Sequence, residues 1–280
     1  MGKVILDVEN KVKKTIEKYK LLGKKEKIIV ASSGGKDSSV ALYILNKLGY
    51  NVEALYINLR LGDYSERCES AVRKLCEKEG IKMHVLDINE EFGMKMCNIR
   101  CGVQQKIKVS NCMVCGIVKK WLLNKHARKL GADKIVTGHH LDDEAQTIIM
   151  NFLQGNLMLG ANSGPRTRIV YDKKFVPRIK PLYFVSENEI RKYCEIKKLP
   201  AAYEKCPCSA SSLRIRTREF ANKLGKKEKE RIVENFLKIL PQLSDKFQKE
   251  KIIYCRICGE PARNEICKKC SLLSVTKKVK

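Results

Sequence analysis

Three groups of residues in this sequence have types and spacings that can do chemistry. The first is Ala31-Ser32-Ser33-Gly34-Gly35-Lys36-Asp37-Ser38. Its glycine pair lets the backbone bend with several N–H groups facing inward, and such a nest beside the positive end of a helix holds phosphate. The GxxxxGK[ST] spacing is missing, so the turn is not a Walker A loop. The second is Gly138-His139-His140-Leu141-Asp142-Asp143-Glu144-Ala145-Gln146-Thr147. Asp142 and Asp143 suit either a helix cap or Mg²⁺ held through water beside phosphates. His139 and His140 are adjacent on a turn and point apart, so one is expected to face a nucleotide and neither is read as a metal ligand.

The third group is the cysteines. There are 13, and residues 1–22 have no apolar core segment or cleavage site of a secretory signal. A cytoplasmic location is therefore expected, where thiols serve as metal ligands or reactive groups and not as a disulfide framework. Cys255-Arg256-Ile257-Cys258 and Cys267-Lys268-Lys269-Cys270 suit one tetrahedral Zn²⁺ held by four thiolates. So short a segment has no core of its own, and metal should supply much of its folding energy. Cys112-Met113-Val114-Cys115 stands apart as a third CxxC. A redox pair, half of a zinc site and part of an iron–sulfur site are all open for it. Cys206 and Cys208 lie far along the chain and are expected to fold back over the same crevice: one of them gives an open three-thiolate site, both give a closed one. Cys68, Cys76 and Cys194 read as small buried hydrophobes, and Cys97 and Cys101 are ambiguous. Lys119 follows Cys115 by four residues and so shares its helix face.

The elements that must position these groups alternate. Apolar runs at 28–31, 52–58, 83–88 and 134–137 read as strands, and helical spacing recurs after each of the first two and over 117–130. This alternation predicts an α/β fold with a doubly wound parallel sheet. In a sheet of order 3-2-1-4 the first and fourth strands are neighbours, and ligand sits at their carboxyl ends where the connections diverge. Residues 3–22 predict an amphipathic helix, 92–110 an active-site loop, 155–168 a further loop, and 186–198 a helix opened by a capping box. A last basic helix over 226–240 is expected to stop at Pro241. The expected domains are an N-terminal helix (1–24), an ATP-binding catalytic domain (25–185), a basic helical region (186–250) and a C-terminal zinc finger (251–280).

The formal net charge is +26, which favours polyanions and points to nucleic acid bound through its phosphates. Aromatic residues make up 6%, too few to suggest a stacking platform for single strands. No apolar run approaches membrane-spanning length.

Ser33-Gly34-Gly35-Lys36-Asp37-Ser38 resembles the PP-loop of the ATP pyrophosphatases. With Cys112-Met113-Val114-Cys115-Gly116, Gly138 to Thr147 and Cys206-Pro207 in one order, the chain from about residue 25 onward resembles the TtcA/TtuA group of tRNA thiolases, which includes the archaeal NcsA-like proteins. The terminal cysteine knuckles are similar to the C-terminal zinc finger of the TtuA branch. The N-terminal finger of that branch is not expected, because the first cysteine is Cys68. The resemblance implies ATP bound by Ala31, Ser32, Ser33, Gly34, Gly35, Lys36, Ser38, Gly138 and His139. It implies catalytic roles for Asp37, Lys119 and Asp143, and a 4Fe–4S cluster on Cys112, Cys115 and Cys206. It implies a tRNA substrate, adenylation of a uridine at its C2 oxygen, and replacement of that oxygen by sulfur; basic residues after Gly155 and in the C-terminal helices are expected to grip the tRNA backbone. The donor would be a ubiquitin-like thiocarboxylate protein, a persulfide or sulfide, and the protein would be a homodimer. Two rivals are a different PP-loop ligase without a cluster and a non-catalytic zinc-ribbon RNA-binding protein.

Overall fold

A computed structural model describes residues 2–161, 163–167, 172–208, 213–247 and 252–274. Helix α1 (Gly2–Lys18) forms because Val8, Val12 and Ile16 recur every fourth residue and are buried together. Strand β1 (Lys27–Ala31) follows, then α2 (Lys36–Lys47), β2 (Asn51–Asn58), α3 (Asp63–Glu79) and β3 (Met83–Asp87). Gly80 ends α3 in the left-handed conformation, with φ +64°.

The segment expected to be an active-site loop is helical. It folds as α4 (Ile88–Phe92) and α5 (Met96–Gln104). Met96, Ile99, Arg100 and Val103 are buried on one face of α5, at a helical spacing that its two cysteines and single arginine mask in the sequence. Helix α6 (Asn111–Lys129) begins six residues earlier than the spacing suggested, because Ser110 caps it through a bond from the Met113 amide. Cys112 and Cys115 therefore sit in its first turns.

Strand β4 (Lys134–Val136), α7 (Leu141–Leu153) and the short α8 (Leu157–Gly160) come next, so the stretch read as loop is partly helical. Strand β5 (Arg178–Ile179) was not foreseen; two residues carry no periodicity. Then come α9 (Glu187–Ile196), α10 (Leu213–Lys223) and α11 (Lys226–Phe247). The capping box at Ser186 is present, with Ser186 and Glu189 each taking the other's amide. Helix α11 runs through Pro241 instead of stopping there; its apolar face, with Val233 and Phe236 buried against α7, carries it past the break. Strands β6 (Ile253–Tyr254) and β7 (Pro261–Ala262) and α12 (Lys268–Ser274) form the C-terminal module.

The sheet order is β3-β2-β1-β4-β5, all parallel, so the expected 3-2-1-4 order holds with one strand added. Strand residues alternate between two cores. Ile28, Val30, Ala54, Tyr56 and Val136 face the layer of α1, α2, α3 and α9. Ile29, Leu55 and Ile135 face the layer of α5 and α6. Among the described residues no helix is long and apolar enough to cross a membrane.

Glu189 ties three helices together. It accepts from Lys11 of α1 at 2.8 Å, from Lys226 of α11 at 2.9 Å, and from the Ser186 amide at 2.9 Å. Burial raises its pKa, but the bonds from Lys11, Ser186 and Lys226 outweigh that and hold it at about 2. A carboxylate depressed in the folded state stabilises above its unfolded value and loses that contribution as pH falls toward the folded one. Glu189→Gln should thus lower the urea midpoint at pH 7, and the gap from wild type should close between about pH 4.5 and about pH 2.

Candidate functional site

The turn after β1 is built around glycines that admit no side chain. A Cβ on Gly34 would lie 2.4 Å from the Cys68 carbonyl oxygen of α3, and φ there is +81°. A Cβ on Gly138, after β4, would lie 2.8 Å from the Asp37 carbonyl carbon and the Ser38 amide. The first and fourth strand ends thus meet with backbone on backbone, as the switch-point argument requires. Within the turn, Ser38 Oγ takes the Ser33 amide at 3.1 Å and gives to the Gly35 carbonyl at 3.0 Å. Ser32 is buried and its amide reaches the Leu55 carbonyl at 3.0 Å. No side chain caps α2, and the Ser39 amide donates back to the Gly35 carbonyl at 3.2 Å. The amides of Lys36, Asp37 and Ser38 are therefore the open positive end of a helix, suited to phosphate.

Charged groups crowd this end. Lys36 Nζ lies 3.0 Å from Asp37 and 3.0 Å from Glu187. Burial works against its ammonium form, but the two carboxylates outweigh burial and raise its pKa. His140, 3% exposed, is the residue that sequence reasoning undervalued. Its ring lies 3.8 Å from Asp37, 3.7 Å from Asp142 and 3.3 Å from Asp143, so it gathers both expected catalytic carboxylates. The histidine doublet was the available signal; which of the two turned inward was not readable. His139 is the exposed one, with Nδ1 2.8 Å from Thr137 Oγ1. Asp142 is structural: it accepts from the Glu187 amide at 2.7 Å and from Lys229 at 2.6 Å, joining α7 to α9 and α11.

Residues 202–208 connect this turn to the cysteine-bearing helix. The Ala202 amide donates to the Gly34 carbonyl at 2.8 Å. Six residues on, Asn111 of α6 donates to the Cys208 carbonyl at 3.2 Å. Cys206 lies between these anchors. Burial pushes the Cys115 thiol up, and Cys206 and Cys112 push it further, against the nearby charges of Arg100 and Lys119. Cys112, Cys115, Cys206 and Lys119 thus share one neighbourhood beside the phosphate turn. Cys112 and Lys119 are exposed, Cys115 and Cys206 half-buried. Cys68 is not the isolated hydrophobe expected: it is buried under Gly34, and Cys206 and Glu204 both act on its thiol. Cys76 and Cys194 are buried, and Cys194 accepts from the Tyr203 hydroxyl at 3.4 Å.

Two thiol sets differ in spacing. Cys255, Cys258, Cys267 and Cys270 place their sulfurs within 4.8 Å of one another. Amides of Cys267 and Cys270 point at the sulfurs of Cys255 and Cys267 at 3.3 and 3.4 Å. That spacing suits one tetrahedral ion, whose Zn–S bonds of about 2.3 Å bring sulfurs close together. Among the described residues no other set of three or more His, Cys, Asp or Glu donors gathers so tightly. Cys112, Cys115 and Cys206 do not form so tight a group.

The basic run after Gly155 is mostly committed inside the protein. Lys180 pairs with Glu144 at 2.7 Å, Arg178 donates to the Lys120 carbonyl at 3.0 Å, and Lys174 donates to the Gly259 carbonyl at 2.9 Å. Arg168 lies outside the described residues. Exposed cations instead line α10 and α11, at Arg216, Lys223, Lys227, Arg231 and Lys238.

Residues 5–219 match the family described as the PP-loop domain. The chain is 36% identical over 274 residues to the tRNA-5-methyluridine(54) 2-sulfurtransferase of Pyrococcus horikoshii, covering 97% of this chain and 86% of that protein. It is 32% identical over 278 residues to the protein of the same name from Thermotoga maritima, covering 98% and 89%. Among solved structures it is similar to the U34-tRNA thiolase NcsA from Methanococcus maripaludis with its 4Fe–4S cluster, at a TM-score of 0.78 and 27% identity over 99% of this chain and 88% of that one.

Gly34→Ala places a methyl group where the Cys68 backbone already is. It should weaken ATP binding at least about tenfold, a cost of ~1.4 kcal/mol, by moving the turn's amides away from the phosphates. Isothermal titration with a non-hydrolysable ATP analogue checks it; unchanged affinity with intact fold means the turn is not the phosphate site.

Proposed function

We propose that this chain, which belongs to the PP-loop family and within it to the tRNA 2-sulfurtransferases, thiolates a tRNA uridine at C2, with ATP activating the oxygen to be replaced. The observation that carries this reading is the span of residues 202–208. It is held to Gly34 at one end and to Asn111 at the other, which supports a reading in which the phosphate turn and the thiols of Cys112, Cys115 and Cys206 serve one site. A zinc-ribbon RNA binder would need no such arrangement.

The chain's own residues then act as follows. Ser33, Gly34, Gly35 and Ser38 shape the turn, and the free amides of α2 hold the ATP phosphates, with Ala31, Ser32 and Gly138 backing them and His139 at the rim. Asp37 and Asp143, gathered by His140, hold Mg²⁺ through water, which neutralises the phosphates and orients the α-phosphorus. The uridine leaves its stack to enter the cleft. Its C2 oxygen bonds to the α-phosphorus, and the bond to pyrophosphate breaks. Sulfur next bonds to C2, and the C2–O bond breaks with AMP as the leaving group. Lys119, whose charge reaches Cys115, offsets the negative charge that develops there. Cys112, Cys115 and Cys206 would hold a 4Fe–4S cluster, which would supply a site to carry the incoming sulfur. A ubiquitin-like thiocarboxylate or sulfide would provide that sulfur at the sulfide level directly, and a persulfide would do so with two electrons from a thiol reductant.

The cations of α10 and α11 grip the tRNA backbone, a contact that positions without reading sequence. The four C-terminal thiols hold Zn²⁺. The protein works in the cytoplasm as a homodimer, with the boundaries 1–24, 25–185, 186–250 and 251–280 separating helix, catalytic domain, basic region and finger.

The test is anaerobic purification with an iron count, followed by pyrophosphate release from ATP with and without tRNA. Iron together with tRNA-dependent release is expected. Release without iron indicates a ligase of another kind, and no release indicates an RNA-binding protein. Cys112→Ser should abolish iron and thiolated nucleosides while leaving ATP affinity within about twofold, because phosphate binding rests on other residues. Treatment with a zinc chelator should lower the melting temperature of the chain, since metal-supplied folding energy is lost.

A further inference from the structure

Arg100 has no part in ATP binding, yet it is 5% exposed on the inner face of α5. Met96, Ile99 and Val103 fix that face against β2 and α6, so the guanidinium has little freedom to leave. It keeps its charge at any accessible pH. An unpaired buried charge is strongly destabilising, and a fold offsets it with a counter-ion. Elsewhere this protein does so with carboxylates: Lys229 on Asp142, Lys180 on Glu144, Lys36 on Glu187. Around Arg100 the partners are sulfur. Nη2 lies 2.9 Å from Cys97 Sγ, and Nη1 lies 3.9 Å from Cys115 Sγ. Among the described residues no carboxylate forms an ion pair with it. A fixed cation is therefore buried where only sulfur can balance it, and one of those sulfurs belongs to Cys115.

We propose that Arg100 is the counter-charge and positioning residue of the cluster site, donating N–H to the Cys115 thiolate and favouring the reduced, more negative cluster. This rests on the assignment of Cys112, Cys115 and Cys206 as ligands. Three thiolates around such a core leave it net negative, and reduction adds one electron. Attraction to a nearby cation grows with that added charge, and an N–H donor to a ligand sulfur acts in the same sense, so both raise the reduction potential. Cys97 holds the other side of the guanidinium fork and keeps it aimed at Cys115 without itself needing to bind iron.

The test uses the full chain with its cluster. Wild-type protein is counted for iron first; absence of iron overturns the ligand assignment itself. With iron present, protein grown on ¹⁵N-arginine is reduced and studied by pulsed EPR. A ¹⁵N coupling to the cluster spin is expected, and its absence overturns the role of Arg100 while leaving the cluster standing. The midpoint potential is then compared across wild type, Arg100→Lys and Arg100→Gln. Arg100→Gln should be reduced at a lower potential and lose iron faster on gel filtration. Arg100→Lys, which keeps the charge and loses the fork, should fall between. An unchanged midpoint in an iron-loaded Arg100→Gln overturns the proposal. Should that variant not fold, the labelled wild-type protein decides alone.

Discussion

Three backbones meet at the end of β1, and the site depends on how closely they approach. Gly34 lies on Cys68 of α3, Gly138 lies on Asp37 and Ser38, and Ala202 pairs with the Gly34 carbonyl at 2.8 Å. No side chain fits between the first two pairs. The contact does two things at once. It holds the first amides of α2 open toward the crevice, and it fixes the start of the segment that carries Cys206 and Cys208. The phosphate turn and one arm of the thiol set are therefore parts of a single packed joint.

This joint explains which parts of the molecule could be read beforehand. Strands such as Ile28 to Ala31 are buried on both sides and read as continuous apolar runs, so the sheet and its order followed from alternation alone. The helix at α6 was placed too late because capping by Ser110 is a side-chain event that precedes the apolar stripe. Helix α5 was missed for a related reason. Its buried face includes Arg100, and a buried arginine looks like a surface residue until its sulfur partners are known. The passage of α11 through Pro241 is a tertiary override of a local rule, carried by Val233 and Phe236 against α7. The basic run after Gly155 misled in the opposite direction. Lysines and arginines counted as a nucleic-acid surface are partly consumed by internal pairs, as Lys180 with Glu144 shows.

The acidic motif after β4 illustrates how neighbours in sequence separate in role. Asp142 is drawn to the Glu187 amide and Lys229, and burial is outweighed there by those donors, so its pKa is lowered. Asp143 lies on the Nε2 side of His140, the side that also faces Asp37, while Asp142 lies on the Nδ1 side. Glu144 is buried on Lys180, and burial pushes its pKa up. Three consecutive carboxylates on a helix point in directions about 100° apart, so one joins the site while two brace it. The spacing contained that division, but the surroundings of each direction did not exist until the sheet was assembled.

The C-terminal module bears on the site through one helix. Leu272 of α12 is buried in the same core as Val114, Val118 and Leu122 of α6. Glu260 reaches Arg128 near the far end of α6, at 2.9 Å from Nη1, and Asn124 between them at 3.4 Å. Lys269 lies 3.9 Å from the centre of the Trp121 ring. Four thiols with no apolar core beyond their own cluster are thus clamped along the helix whose first turns carry Cys112 and Cys115 and whose next carries Lys119. Gathering those thiols organises a surface that covers α6 along much of its length. Because α6 is also held at its N-terminus by Asn111 on Cys208, its position is set from both ends. A helix so restrained can keep its cysteines in register with a loop that arrives from the opposite side of the crevice.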